Sequence, residues 1–485
     1  MTTDGQLANF IGGGWTTAGG ADELPVQNPA TGDTLARVPL SRDEEVDAAA
    51  QRAAAAFRDW RRTPVTERVQ PLFRLKTLLE EEHEDIARTL TMECGKTLAE
   101  SIGEMRRGIE NVEVACGMPS LMQGYNNEDV AAGIDETMIR QPLGPVAAIT
   151  PFNFPGMIPL WFLPYAIACG NPFILKPSEK VPLTAQKIFS LVERIGLPPG
   201  VAQMVHGSRE TVEAILDHPE IRAISFVGSS AAAEAVYRRA AARGKRVQCQ
   251  GGAKNPVIIL PDANLDATLE AVLDSAFGCA GQRCLAASVG ITVGAAREPF
   301  TEALVDAARS RRLGFGLDEG VQMGPVISPD ARERIETMIG VGAGEGARLL
   351  VDGRGARVDS RENGFFVGPT ILDGIEPGSK IASSEVFGPV LGLHHVPDLD
   401  AAIELANSRA YGNMACLFTT SGGAARRFRY EVDAGNIGIN IGVAAAMAFF
   451  PFCGNKESFF GDLHAQGRDA VEFYTEKKVV VERWV

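Results

Sequence analysis

The sequence predicts an α/β protein built from a doubly wound parallel sheet, a second α/β domain and a small β flap. Three observations carry this reading. Strand-like and helix-like stretches alternate regularly between Gly144 and Gly252, the pattern of a βαβ series whose ligands bind beyond the carboxyl ends of its strands. From Asn255 to about Phe452 helices and strands mix again, with turn-rich breaks at Pro325 and Gly364. Two β-rich stretches far apart in the chain, Val130 to Arg140 and Val471 to Val485, can pair in a sheet of their own. At 485 residues the chain is long enough for roughly two or three domains.

Taken in order, the first helix begins with a capping box, Ser41 to Glu44, and repeats Val46, Ala50, Ala53, Phe57 and Trp60 at helical spacing. A second helical region, Val65 to Met118, is interrupted near Gly95 and Gly103 and ends in a run containing Arg106 and Arg107. By spacing alone these arginines read as a solvated face. No charge occurs between Arg140 and Lys176, yet the seven prolines there argue against a membrane span and for buried protein around a site. Strands are expected at Val146 to Thr150, Phe173 to Lys176, Ala202 to Val205, Ala223 to Val227 and Arg246 to Gln250, with helices at Leu183 to Ile195, Thr211 to Leu216 and Ala231 to Arg243. Gly228 and Ser229 stand where a strand meets a helix, so Gly228 permits close approach of a phosphate and the helix start offers free N–H groups; a plain turn fits equally well. The near match to a dinucleotide fingerprint at Gly342 to Ala347 follows a helix and precedes the strand-like Arg348 to Val351, the wrong order, and reads as a surface turn. The uncharged run Ile437 to Phe452 reads as core or as the lining of a substrate tunnel.

Composition narrows the function. With 47 Lys plus Arg against 61 Asp plus Glu, a formal charge of −14, neither a nucleic acid nor a membrane surface is an expected partner. Eight cysteines without a CxxC pair and six histidines without a zinc-ligand spacing imply reduced thiols, a cytoplasmic location and no metal. The start, MTTDGQLANF, lacks the basic and apolar regions of a signal peptide.

Chemistry concentrates in FGCAGQRCLAAS, Phe277 to Ser288. A nucleophilic cysteine needs positive neighbours and small residues that leave room for an incoming carbonyl carbon. Cys284, after a flexible Gly281-Gln282-Arg283 run and before Ala286 and Ala287, meets both needs, although free cysteines are often simply buried.

Several ordered motifs extend this reading: TPFNFP at Thr150, ILKPSE at Ile174, ISFVGSS at Ile224, GQRC at Gly281, SEVFGPV at Ser384 and YGN at Tyr411. Over nearly its whole length the chain resembles the aldehyde dehydrogenase superfamily. The resemblance implies an NAD-binding Rossmann-like domain at 1–122 and 142–250, a catalytic domain at 251–452, and an oligomerisation segment at 123–141 and 453–485. It implies that Cys284 attacks an aldehyde, and that Asn153 and the Cys284 backbone N–H hold the oxyanion; loss of one such donor slows a reaction ~10²- to 10³-fold. Phe152, Lys176, Glu179, Gly228, Ser229, Glu385 and Phe387 fall at cofactor positions, and the acid at Glu179 favours NAD over NADP.

Acid-forming members carry a glutamate base in E-L-G-G-K, where this chain has Gln250 in Gln250-Gly251-Gly252-Ala253-Lys254. An amide does not activate water, so a thioester on Cys284 should wait for a thiol such as coenzyme A. The G-A-K-N, AGQRC and PFNFPGMIPLWFLPYAIACGN stretches resemble the CoA-acylating methylmalonate-semialdehyde dehydrogenases, in which two arginines bind the substrate carboxylate; Arg107 and Arg283 match them. The resemblance implies acetyl-CoA or propionyl-CoA as product and a homodimer or homotetramer. Pro256 replaces a usual His, and Gly442 to Ala446 replaces a proline-rich loop, so a different or larger semialdehyde stays open. An acid-forming dehydrogenase and a catalytically silent, dinucleotide-binding oligomer are the competing readings.

Overall fold

The computed structural model describes residues 5–18 and 22–485, so the first four residues of the segment tested above for a signal peptide lie outside it. Five parallel strands form the centre of an eight-stranded sheet, in the order Ala202–Met204, Phe173–Lys176, Val146–Ile149, Ala223–Val227 and Arg246–Gln250. In chain order this is 3-2-1-4-5, and its switch point lies between Val146–Ile149 and Ala223–Val227, where a crevice opens beyond the strand ends. Almost every residue of these strands is buried, because helices cover both faces.

A seven-stranded sheet forms the second unit, parallel except at its Arg348–Val351 edge. Thr150 and Gly228, just beyond carboxyl ends of the first sheet, line one cavity with Cys284, which lies just before the strand Ala287–Val293 of the second. A third sheet of three antiparallel strands pairs Thr475–Arg483 with Ile134–Pro142, and that strand with Tyr125–Ala131. Its Val479 and Val481 are exposed. Within 453–485, Phe459–Gly461 does not join this flap but adds an antiparallel edge strand to the first sheet.

Several local expectations need correction. The first helix spans Asp43–Trp60, and its opening box runs from Arg42, whose N–H donates to Glu45 at 2.8 Å. Ser41 instead accepts from Asn9 at 2.9 Å, since it is buried against the strand Asn9–Ile11. The second helical region breaks at Glu82 as well as at Gly95, whereas Gly103 lies inside the unbroken helix Leu98–Cys116. Residues 471–474 belong to the helix Gly467–Tyr474, whose last carbonyls accept from the Arg246 guanidinium. The uncharged stretch contains the buried helix Met157–Ala168, which includes Pro164. No helix among the described residues is long and apolar enough to cross a membrane.

Two buried carboxylates from the outer helices close inner helix starts. Glu93 accepts from the N–H groups of Leu183 at 2.7 Å and Thr184 at 2.8 Å, at the head of Pro182–Arg194. Burial nevertheless pushes its carboxyl up to about 7. The folded-state value thus exceeds the unfolded one, so the Glu93 contribution is fully present below the unfolded value and is lost as pH rises through about 7. Glu93→Gln should flatten that part of the stability profile in urea titrations at several pH values. Glu93→Ala, which leaves two buried donors unpaired, should cost about 2–3 kcal/mol; an unchanged unfolding midpoint would contradict the capping role.

Candidate active site

Cys284 stands where two cavities meet. One, of about 590 Å³, is lined by Phe152, Asn153, Lys176, Glu179, Gly228, Ser229, Glu385 and Phe387 together with Cys284. The other, of about 430 Å³, is lined by Arg107, Phe154, Trp161, Arg283, Val443 and Ala446, again with Cys284. The eleven residues read as catalytic, substrate-binding or cofactor-binding therefore border one or both cavities, whereas Gln250 lines neither.

The turn before Cys284, expected to be flexible, has a tightly constrained backbone. Cys279, Ala280 and Gly281 all have positive φ, of 51°, 52° and 69°. A side chain at Gly281 would meet the Gly388 carbonyl oxygen at 2.1 Å, so only glycine fits. The Cys284 carbonyl accepts from two buried amides, Asn255 at 2.9 Å and Asn413 at 2.8 Å. Asn255 also donates to the Ala286 carbonyl and accepts from the Met414 N–H, so it ties the turn to two strands. Both asparagines stood in recognised motifs, but their spacing in sequence did not reveal the shared target.

Arg283 does not lie over the Cys284 thiol as its adjacency suggested. Its Nε donates to Cys279 Sγ at 3.1 Å, and its guanidinium pairs with Glu100 at 3.3 Å and Asp274 at 3.4 Å. Burial pushes the Cys284 thiol up to about 12, and the Glu385 carboxylate adds to the effect; the backbone N–H groups of Cys284 and Leu285 and the charge of Lys96 oppose it. The nucleophile is thus largely a thiol in the free protein near neutrality. Expected activation by Arg283 is corrected accordingly: its charge is directed to Cys279, Glu100 and Asp274.

Asn153 donates one amide N–H to the Gln282 carbonyl at 3.1 Å, and an amide carries a second. Gln282 is itself fixed, accepting from the Ile327 N–H at 3.0 Å. This orients Asn153 in the cavity it shares with Cys284 and uses only one of its two donors.

On the cofactor side, Lys176 and Glu179 pair at 3.0 Å, and although burial acts against it, Lys176 and Lys180 hold the Glu179 carboxyl below its usual range. Ser229 precedes the helix Ser230–Ala242 and its hydroxyl makes no cap bond, so it is free for a ligand. A side chain at Gly252 would meet Glu385 Oε2 at 2.5 Å, which keeps this wall open. Glu385 accepts from the Ala253 N–H at 2.8 Å. The Phe152 and Phe387 rings meet edge to face at 5.8 Å. A cleft with a half-buried acid beside a buried lysine, a bare hydroxyl at a helix start and aromatic walls fits a dinucleotide.

Gln250, at the end of Arg246–Gln250, is buried and neither atom of its amide has a hydrogen-bond partner. In the second cavity, Arg107 pairs with Glu110 at 2.7 Å and bonds the Ala446 carbonyl, so this arginine belongs to the cavity wall, whereas Arg106 pairs with Glu80 and Glu113 on the surface. The apolar run Ile437 to Phe452 contributes Val443, Ala445, Ala446 and Phe452 to the lining, which decides between its two readings. Sequence reasoning did not single out Glu100, Glu104, Trp161 or Gln466, which also border this cavity.

The sequence profile of the aldehyde dehydrogenase family matches residues 15–480. The chain is 51% identical to malonate-semialdehyde dehydrogenase 2 of Geobacillus thermodenitrificans, with 100% of each chain covered. It is 48% identical to malonate-semialdehyde dehydrogenase of Halalkalibacterium halodurans, over 100% of this chain and 99% of that one. The structure superposes with a TM-score of 0.98 on a Sinorhizobium meliloti protein, described as a methylmalonate-semialdehyde dehydrogenase and solved with NAD, at 40% identity over 100% and 99% of the two chains. The crystal structure of methylmalonate-semialdehyde dehydrogenase from Oceanimonas doudoroffii gives 0.97 at 43% identity, over 99% and 98%.

Alkylation of Cys284 by iodoacetamide should climb about tenfold per pH unit between pH 7 and 9, as expected for a thiol below its ionisation range. Glu385→Gln removes a charge that holds the thiol up, so its rate at pH 8 should be several-fold higher. An equal rate would contradict the electrostatic assignment.

Proposed function

The chain belongs to the aldehyde dehydrogenase family, and on that premise we propose that it is an NAD-dependent, CoA-acylating dehydrogenase of malonate or methylmalonate semialdehyde. The observation that carries this reading is Cys284 at the junction of a dinucleotide-sized cleft and a second cavity, in a chain whose buried Gln250 stands at the sequence position of the family's base.

Cys284, as thiolate, adds to the aldehyde carbon, and the displaced carbonyl pair settles on oxygen. The second N–H of Asn153 and the backbone N–H of Cys284 hold that oxyanion. Lys176 and Glu179 hold the adenosine ribose, Ser229 and Gly228 the pyrophosphate, and Phe152, Glu385 and Phe387 the nicotinamide end. NAD, when bound, takes the hydride that leaves the former aldehyde carbon, so Cys284 becomes a thioester. Gln250 accepts no proton from water at neutral pH, and hydrolysis is slow. A CoA thiolate displaces the Cys284 sulfur and restores the free cysteine. A carboxylate β to the thioester carbonyl leaves as carbon dioxide, its electron pair passing into that carbonyl and a proton adding to the carbon, to give acetyl-CoA or propionyl-CoA.

Arg107 and Arg283 bring positive charge to the wall of the second cavity, which favours an aldehyde that also carries a carboxylate. The small residues Gly442 to Ala446 leave room for a larger semialdehyde. The cofactor domain at 1–122 and 142–250, the catalytic domain at 251–452 and an oligomerising flap complete the proposal. Exposed Val479 and Val481 on the flap support association into a homodimer or homotetramer, and the cysteine usage supports a cytoplasmic location.

NADH formation from malonate semialdehyde should be sustained only when CoA is present; equal turnover without CoA would replace this reading by the acid-forming one. Gln250→Glu should raise CoA-independent acid formation at least tenfold. Arg107→Leu should raise KM for malonate semialdehyde at least tenfold more than KM for propanal, as loss of a charge-assisted contact requires; equal changes would remove Arg107 from carboxylate recognition.

A further inference from the structure

A fully buried ion pair beside the site has no part in the chemistry above. Lys96, just past the helix His83–Cys94, meets Glu104, on Leu98–Cys116, at 2.5 Å, with 2% and 0% of the side chains exposed. Withdrawing two charges from water is expensive, several kcal/mol per ion even after relaxation, so such a pair is held by further partners. Glu104 Oε1 accepts from the N–H groups of Gly156 at 2.8 Å and Met157 at 3.1 Å, the open start of the helix Met157–Ala168. Lys96 Nζ lies 3.6 Å from the centroid of the Phe154 ring. The two residues thereby grip the turn 150–156 from both ends of its Phe154-Gly156 segment, and Asn153 is the residue before Phe154. Glu104, Phe154 and Cys284 border the same cavity.

The electrostatic surroundings support a role beyond packing. Glu385 opposes ionisation of Cys284, and Lys96 is a cation that favours it. Cys94 and Cys279 also feel Lys96, Glu93 acts on Cys94, and Glu100 and Arg283 act on Cys279. Lys96 is tied to Glu104 as Arg283 is to Glu100 and Asp274, so the pair acts on the site through the turn it holds.

We propose that Lys96 and Glu104 are a positioning pair for the reaction at Cys284: Glu104 holds the open helix start that follows the turn carrying Asn153, and Lys96 holds Glu104 and the Phe154 ring in place. The proposal rests on Cys284 as nucleophile, as in the reading above, and goes beyond it in naming the pair that sets donor placement.

The test compares three variants by iodoacetamide alkylation of Cys284 across pH and by steady-state kinetics. Lys96→Met/Glu104→Gln removes both charges at similar volume, a replacement that buried pairs often tolerate, and keeps an oxygen near Gly156 and Met157. Its kcat should fall about tenfold, as misplacement of Asn153 requires, with KM for NAD and the alkylation profile held near wild type because no net charge is lost. Lys96→Arg, which keeps the pair, should hold the wild-type kcat. Glu104→Asp, which draws the carboxylate back from the helix start, should lower kcat more than it alters KM for NAD, with the alkylation profile in place. A folded double variant with wild-type kcat would overturn the proposal. Should that variant not fold, a Glu104→Asp kcat equal to wild type would do the same. NADH formation is read with whichever acceptor supports turnover, so this outcome is independent of which acceptor takes the acyl group.

Discussion

Two side-chain amides converge on one carbonyl oxygen, that of Cys284, and the active site depends on this contact. Asn255 opens one strand of the second sheet and Asn413 precedes another, so the nucleophile is referenced directly to the most rigid part of its domain. The preceding turn adopts three consecutive positive φ angles, which two non-glycine residues tolerate only because the surrounding packing determines them. Gly281 then passes so close to Gly388 that no side chain fits. A cysteine held this way has a fixed position with respect to both cavities. At this half-buried position desolvation and the Glu385 carboxylate together push its ionisation upward.

The same desolvation explains why so many charges near the site are committed to partners. Glu93 and Glu104 each close an inner helix start, Arg283 is tied to Glu100 and Asp274, and Arg107 to Glu110. Buried charges without partners are costly, and here they are used to fix backbone. Gln250, like the Trp161 indole N–H, is buried without a hydrogen bond among the described residues. On the proposed reading its neutrality avoids a further uncompensated charge and leaves the thioester to an incoming thiol.

The parallel core was legible because its strands are short apolar runs bounded by glycine, proline or charge. Phe173–Lys176, Ala223–Val227 and Arg246–Gln250 have the expected ends. Where tertiary contacts override local signals, the reading failed. Ser41 has the chemistry of a cap but is drawn to Asn9, and residues 471–474 are rich in β-formers yet stay helical because Arg246 collects their carbonyls. The eleven site residues were found through ordered motifs, and all of them border the two cavities. What the motifs could not convey was direction: Arg283 adjoins Cys284 in sequence, but its guanidinium turns back to Cys279. Lys96 and Glu104 were missed because they stand 8 positions apart across a break between two helices, where no local spacing rule pairs them.

The central claim is that Cys284 keeps its acyl group until a thiol arrives, because Gln250 offers water no base. Intact-mass measurement of enzyme quenched after one turnover with malonate semialdehyde and NAD, without CoA, tests it directly. A stable acyl adduct on Cys284, discharged on adding CoA, is the predicted result. Free acid accumulating with no adduct would contradict it.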